Sequence, residues 1–299
     1  MLFRSKNIIL GNGSNEILEF IARLTLNSST EAIIPKHSFL VYEIISKLQD
    51  AKIIVSKPDS NKNSANYLGI DLDSVKSKIS SKTRLIFLAN PANPTGTYIP
   101  KEEVIRLHNS IPSNVILVYD AAYSEYIRND FYIDGSELVD KFNNVIMLRT
   151  FSKLHGLASL RLGWGYCSED ILNSLMKVRG PFSVNIAAIM AGIAAIEDLK
   201  FQEKSFQHNK IWMKWLENEI QLLKLDFQPS ITNFLLVQFP ETADHSAKKA
   251  ETFLAERGIL VRGMEVYGLP NHLRISIGNE TENKILVKEL KSFLENNHE

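Results

Sequence analysis

The sequence predicts an α/β fold, in which a mainly parallel sheet flanked by helices is followed by a smaller α+β unit. Three observations carry this. Short β-branched runs alternate with amphipathic helical stretches through the first half of the chain. Several of these runs are apolar throughout, as strands covered on both faces should be. After Gly180-Pro181 the rhythm changes to long helices and more widely spaced strands, which puts a boundary near Arg179–Pro181. The expected domains are therefore 1–180, the larger, and 181–299, the smaller.

Taken in order, strands are expected at Asn7–Leu10, Glu31–Ile34, Lys52–Val55, Arg84–Ala89, Val115–Tyr119 and Val145–Leu148. Helices are expected between them, near Glu16–Leu26, Phe39–Gln49, Leu72–Ile79 and Glu102–Asn109. The Ser/Asn-rich stretch Lys57–Asn66 reads as an exposed loop. In the second unit, helices near Val184–Ala195 and Phe201–Leu223 precede strands at Phe234–Phe239, Ile259–Val261 and Leu273–Ile277. Further helices, near Ala247–Glu256 and Glu282–Leu294, lie beside those strands.

Composition narrows the function. The 299 residues carry 34 Lys+Arg against 34 Asp+Glu, so no net field draws in nucleic acid or an anionic membrane. The single cysteine, Cys167, excludes an internal disulfide framework and a cysteine metal cluster, and it reads as a buried strand residue. His37, His108, His155, His208, His245 and His272 are scattered without metal-ligand spacing. Trp212 and Trp215 read as packing residues. The longest apolar run, Ile186–Ile196, is far short of the roughly 20 residues of a membrane span, and the first residues lack the apolar core of a secretory signal. The expectation is a cytoplasmic, enzyme-like chain with no metal, nucleic-acid or membrane partner. Its entry almost at once into Ile8-Ile9-Leu10 suggests a domain joined mid-rhythm, with a preceding segment missing.

Four stations carry candidate chemistry. Gly11-Asn12-Gly13-Ser14-Asn15-Glu16 opens the first helix. Its glycines permit a tight turn, Ser14 or Asn15 can cap, and free N–H groups there face an anion. Read alone, it is equally a plain strand–helix turn, and Glu16 breaks the dinucleotide fingerprint. Asn90-Pro91-Ala92-Asn93-Pro94-Thr95-Gly96 follows a strand, where open sheets place ligands, and Asn93 can present its amide there. Asp120, after four apolar residues, is a carboxylate that burial would force to find a cationic partner, or else a helix cap. Tyr123 lies three residues on. Finally Arg149-Thr150-Phe151-Ser152-Lys153 is followed eight residues later by Arg161. Any one lysine is usually solvated, but the ensemble supplies an amine, a carboxylate, an amide, aromatic faces, a hydroxyl, an arginine and a helix N-terminus on one sheet edge.

Those are the parts that hold pyridoxal 5'-phosphate. Lys153 would attach the aldehyde and later act as general base, while Asp120 would keep the pyridine nitrogen protonated. Asn93 and Tyr123 would contact the phenolic oxygen. Ser152, Arg161 and the backbone at Ser14 and Asn15 would take the phosphate.

At this point the chain resembles the fold-type I, class-II-like aminotransferases, and among them the histidinol-phosphate aminotransferase family, from Asn7 to about Phe293. The landmarks are IILGNGSNE, HSFLVY, NPANPTG, YDAAYSEY, RTFSKLHGLASLRLGWGY, VRGPFSVN, TNFLLVQF and ILVRGMEVYGLPNHLRISIG. The resemblance implies the same roles for Lys153, Asp120, Asn93, Tyr123, Arg161 and Ser152. It adds Phe39, three residues before Tyr42, as the ring stacked on the cofactor. It also adds Arg274 as the holder of the substrate's anionic group, Arg262 as a second arginine near the substrate, and Asn233 without a defined role. The implied reaction exchanges an amino group between L-histidinol phosphate and 2-oxoglutarate, in histidine biosynthesis, by a homodimer acting on a small-molecule amino donor and a 2-oxo acid. Other aminotransferases and related decarboxylases use the same grip. A chain that binds cofactor weakly and turns over nothing is the rival from another class. Two departures stand out. Ala121 replaces a glutamate common in the family, and the resemblance implies a longer segment ahead of Asn7, with a tyrosine reaching the neighbouring subunit's cofactor, that is not among these residues.

Overall fold

A computed structural model describes residues 5–295 of the chain, so the outer limits of both expected domains lie outside the described residues. Seven strands form the larger sheet: β1 (Ile8–Asn12), β2 (Glu31–Pro35), β3 (Lys52–Ser56), β4 (Thr83–Ala89), β5 (Ile116–Asp120), β6 (Val145–Thr150) and β7 (Leu162–Cys167). Their order is β1-β7-β6-β5-β4-β2-β3. Only β7 runs against its neighbours, β1 and β6, and the rest are parallel.

Alternation along the central strands feeds two cores. Leu85, Phe87, Val118, Ile146 and Leu148 face one side, with Ile17, Leu18 and Ile21 of α1 (Ser14–Thr25), Ile45 of α2 (Val41–Lys47) and Leu172 and Leu175 of α6 (Glu169–Val178). Ile86, Leu88, Leu117, Val145 and Met147 face the other. There they meet Val75 of α3 (Leu72–Ser77), Val104 and Leu107 of α4 (Lys101–His108), and Leu138 of α5 (Ser136–Lys141).

The smaller sheet is antiparallel, in the order β10-β11-β9-β8: β8 (Asp226–Gln228), β9 (Phe234–Gln238), β10 (Arg262–Gly263) and β11 (His272–Ser276). It packs on α8 (Leu199–Leu222), α9 (Ala247–Ala255) and α10 (Glu280–Glu295) through Leu216, Ile220, Leu254, Leu290 and Phe293. Against β7 of the larger sheet α7 (Ile186–Glu197) lays Ala188 on Phe151 and Leu162.

Three local expectations change. The strand expected at Ile259–Val261 begins only at Arg262, because the N–H of Ile259 is spent on the carbonyl of Leu254 (2.9 Å) in closing α9, after Gly258 turns left-handed. Neither Ser14 nor Asn15 caps α1: the cap position is Gly13, at φ 79°, and Ser14 is already helical. The strand β7, sensed in the sequence only at Cys167, sits in the sheet between β1 and β6, with Gly163 and Gly165 weakening its strand signal.

Candidate active site

The reversed direction of β7 puts its first residues beside the C-terminal ends of β1 and β6, and a cavity of about 240 Å³ opens at that edge of the sheet, where β4 and β5 also end. Asp120 ends β5 in its floor and is buried. Tyr42 of α2 donates its phenol to Oδ2 at 2.6 Å, and the N–H of Ala122 donates to Oδ1 at 3.2 Å. Burial pushes this carboxyl above its ordinary range, while the Tyr42 bond, the Ala122 bond and the Lys153 ammonium pull the other way. Tyr42 is itself fixed, stacked on Phe87 (ring centroids 4.6 Å apart) and edge-on to Phe39 (5.7 Å). Tyr42 is a site residue that the sequence motifs do not single out. Its one local signal is its place three residues after Phe39, whose carbonyl accepts the Tyr42 N–H (3.1 Å) as the chain enters α2.

Lys153 lies three residues past the end of β6, in a turn tied by Gly156 N–H to the Lys153 carbonyl (3.0 Å) and Leu157 N–H to Phe151 (3.0 Å). Its Nζ lies 5.2 Å from the centre of the Tyr123 ring. Burial lowers its pKa, and the Arg274 and Arg161 cations lower it further against the pull of Asp120. The amine is thereby shifted toward its neutral, nucleophilic form.

Three backbones converge at the opposite end. A Cβ on Gly13 would collide with the Arg161 guanidinium, and a Cβ on Gly163 would collide with the Ser14 backbone nitrogen. Arg161 is held in the left-handed region at φ 60°, a strain of order 1 kcal/mol in a non-glycine residue. Its Nη1 donates to the Ala158 carbonyl at 2.7 Å. The first turn of α1 has no side-chain cap, and Ser14 and Asn15 line the cavity. A helix N-terminus and an arginine thus face the same space, a setting for an anion.

Phe39, Asn93, Tyr123 and Ser152 complete this wall of the cavity. Arg274, on β11, approaches from the smaller sheet, and its Nη1 donates to Asn93 Oδ1 at 2.6 Å. That bond fixes the Asn93 amide with its oxygen engaged and its NH₂ left to donate. The Arg274 Nε is buried without a partner. Arg262 pairs with Arg274 across β10 and β11, but it is exposed and lies outside the cavity lining. Asn233 bonds through its carbonyl to the N–H of Ile277 (2.9 Å). So Ser14, Asn15, Phe39, Asn93, Asp120, Tyr123, Ser152, Lys153 and Arg161 are brought together, Arg274 reaches them, and Arg262 stands apart.

Residues 2–290 match the family model described as aminotransferase class I and II. The chain belongs to the class I and II aminotransferases. A histidinol-phosphate aminotransferase of Maricaulis maris is 43% identical to this aminotransferase over 290 residues, 97% of this chain and 78% of the relative. One of Nitrobacter hamburgensis is 41% identical over 287 residues, 96% of this chain and 77% of the relative. Among solved structures, the histidinol-phosphate aminotransferase of Sinorhizobium meliloti in complex with pyridoxal-5'-phosphate superposes with a TM-score of 0.86 at 25% identity, covering 97% of this chain and 77% of that one. The aspartate aminotransferase of Thermotoga maritima, at 19% identity and a TM-score of 0.84 over 97% of this chain and 76% of that one, shares the fold of this aminotransferase. No helix among the described residues is long and apolar enough to cross a membrane.

Proposed function

We propose that this aminotransferase moves the amino group of L-histidinol phosphate to 2-oxoglutarate, using pyridoxal 5'-phosphate bound in the cavity at the edge of the larger sheet. The two relatives named above, matched over nearly the whole chain, support the substrate. The observation that carries the chemistry is the placing of Lys153, Asp120 and the Gly13–Arg161 cradle around one cavity. When bound, the cofactor supplies an aldehyde that takes up the amino group and a ring that stores the electron pair left on the substrate carbon.

The residues fit that group. Lys153 would be the attachment point, and its Nζ, whose pKa burial lowers, would serve as the base that takes the proton from the substrate carbon and returns it. Asp120, steadied by Tyr42, would accept the hydrogen bond of a protonated ring nitrogen. The Asn93 NH₂ and the Tyr123 hydroxyl would donate to the phenolic oxygen, and Phe39 would cover a ring face. Arg161, Ser152 and the N–H groups of Ser14 and Asn15 would hold the phosphate. On the substrate side an anionic group would satisfy the unpartnered Arg274 Nε.

The functional unit in this reading is a cytoplasmic homodimer of two-domain chains, divided near Arg179–Pro181. Ile186, Met190 and Ile193, on one stripe of α7, and the neighbouring Phe182 are exposed, an apolar face that supports pairing. The test is glutamate formation from 2-oxoglutarate by the cofactor-loaded protein, with histidinol phosphate, phenylalanine and aspartate compared as donors. Histidinol phosphate should give the highest kcat/KM. Turnover with the other two but not with histidinol phosphate would overturn the assignment.

A further inference from the structure

We infer that Asn90, the residue after β4, is a positioning residue that holds the Asn93 loop in register with the cavity. The inference rests on the reading of Asn93 as a cofactor contact. Asn90 is fully buried, lies outside the cavity lining and acts from beneath it. Its side chain closes the loop in both directions, since Nδ2 donates to the Ile99 carbonyl (3.0 Å) and Oδ1 accepts the Ile99 N–H (2.8 Å). Nδ2 also donates to the Tyr119 hydroxyl (2.7 Å), which passes its own proton to the Ile133 carbonyl. The Asn90 backbone is held too: its N–H donates to the Asp120 carbonyl (3.0 Å), and its carbonyl accepts from Tyr132 (2.7 Å).

Beyond this clasp, Arg274 orients the Asn93 amide head (2.6 Å), the Gly96 N–H donates to the Ala92 carbonyl (2.9 Å), and the Thr95 and Thr97 hydroxyls share a bond (2.8 Å). Ala92 N–H bonds the Thr97 carbonyl (2.8 Å), and the tip docks where Ile231 N–H meets the Gly96 carbonyl (3.1 Å). Gly96 is left-handed (φ 76°), and a Cβ there would collide with Ser230. Asn93 hangs between this tip and the Asn90 clasp, three residues from the clasp. An alanine at position 90 would leave the Ile99 N–H, the Ile99 carbonyl and the Tyr119 hydroxyl each short of a buried partner, so the base of the loop would open. The one-residue link from Asn90 to Asp120 also puts the two cofactor-facing groups, amide and carboxylate, on a common frame.

A spectroscopic double-mutant cycle on the cofactor-loaded protein tests this. An amide donor on the phenolic oxygen draws off charge that otherwise retains the neighbouring proton, so losing it raises the pH midpoint of the visible absorption titration. Asn93→Ala should raise that midpoint by about one pH unit, and Asn90→Ala should raise it by a similar amount. In the Asn93→Ala background, Asn90→Ala should add no further shift. An unmoved midpoint in Asn90→Ala beside a moved one in Asn93→Ala would overturn the inference while leaving the Asn93 reading intact. Equal shifts that simply add would also overturn it, because Asn90 would then act by another route. No shift in Asn93→Ala would remove the reading beneath both. Should Asn90→Ala fail to fold, Tyr119→Phe removes one acceptor of the Asn90 amide and keeps the ring. It should move the midpoint the same way by less, and an unmoved midpoint there would count against the inference.

Discussion

On the larger-sheet side of the cavity two polar groups already have partners, with Asp120 accepting from Tyr42 and Ala122, and one Arg161 nitrogen donating to the Ala158 carbonyl. On the smaller-sheet side Arg274 makes one bond, to Asn93 across the gap, and keeps a buried, unpartnered Nε, while Arg262 is exposed. A satisfied group stays put whether or not a ligand is bound. An unsatisfied buried donor costs about 1–3 kcal/mol until a ligand supplies the acceptor. The first wall suits a cofactor that is always the same. The second suits two substrates that enter in turn, each bringing its own anion.

The largest effect that can break this comparison is expected at Asp120. Asp120→Asn should keep the cofactor and lose amino transfer by on the order of 10³-fold, because a neutral amide no longer holds a protonated ring nitrogen. Near-normal turnover, with cofactor content measured alongside, would reduce Asp120 to a turn residue. Arg274→Ala should come next, lowering kcat/KM for both substrates by on the order of 10²-fold while cofactor content holds. Equal kinetics for donor and acceptor before and after the change would show that the anion site lies elsewhere.

A smaller effect should separate Tyr42 from the groups it serves. Tyr42→Phe keeps the stacked ring and removes one hydrogen bond to a charged acceptor, so kcat should fall about ten-fold with KM nearly unchanged. A change in KM alone would place Tyr42 on the substrate side. The smallest expected effect concerns stability. Burial holds the His272 ring, on β11, down at about 4. The unfolded chain then binds the extra proton between about pH 4 and 6.5, so stability is complete above 6.5 and is lost as pH falls through that window. His272→Phe should flatten that part of the curve of denaturation midpoint against pH. Asp120, with its raised carboxyl, contributes the opposite slope from the larger-sheet side.

Much of this wall could be read from the sequence because its signals are local. Four apolar residues ahead of Asp120 announce a strand ending in a carboxylate, and two Asn-Pro pairs announce a rigid loop at another strand's end. Lys153 and Arg161 became legible only as members of a set. What escaped depends on contacts distant in sequence. Tyr42 reads as one more core aromatic until Asp120, 78 residues away, is placed against its hydroxyl. Gly163 and Gly165 read as breaks in a strand, yet the missing Cβ of Gly163 is what lets the start of α1 approach β7. The late start of β10, at Arg262, follows from Ile259 being drawn into the cap of α9, a competition between backbone bonds that periodicity does not register.

The most direct test of the account is chemical. Borohydride reduction of the cofactor-loaded protein, followed by peptide mapping, should leave the pyridoxyl label on Lys153 and no other residue, and Lys153→Ala should take up no label. A label on another of the chain's lysines, or full labelling of the Lys153→Ala protein, would contradict the assignment of this cavity as the active site.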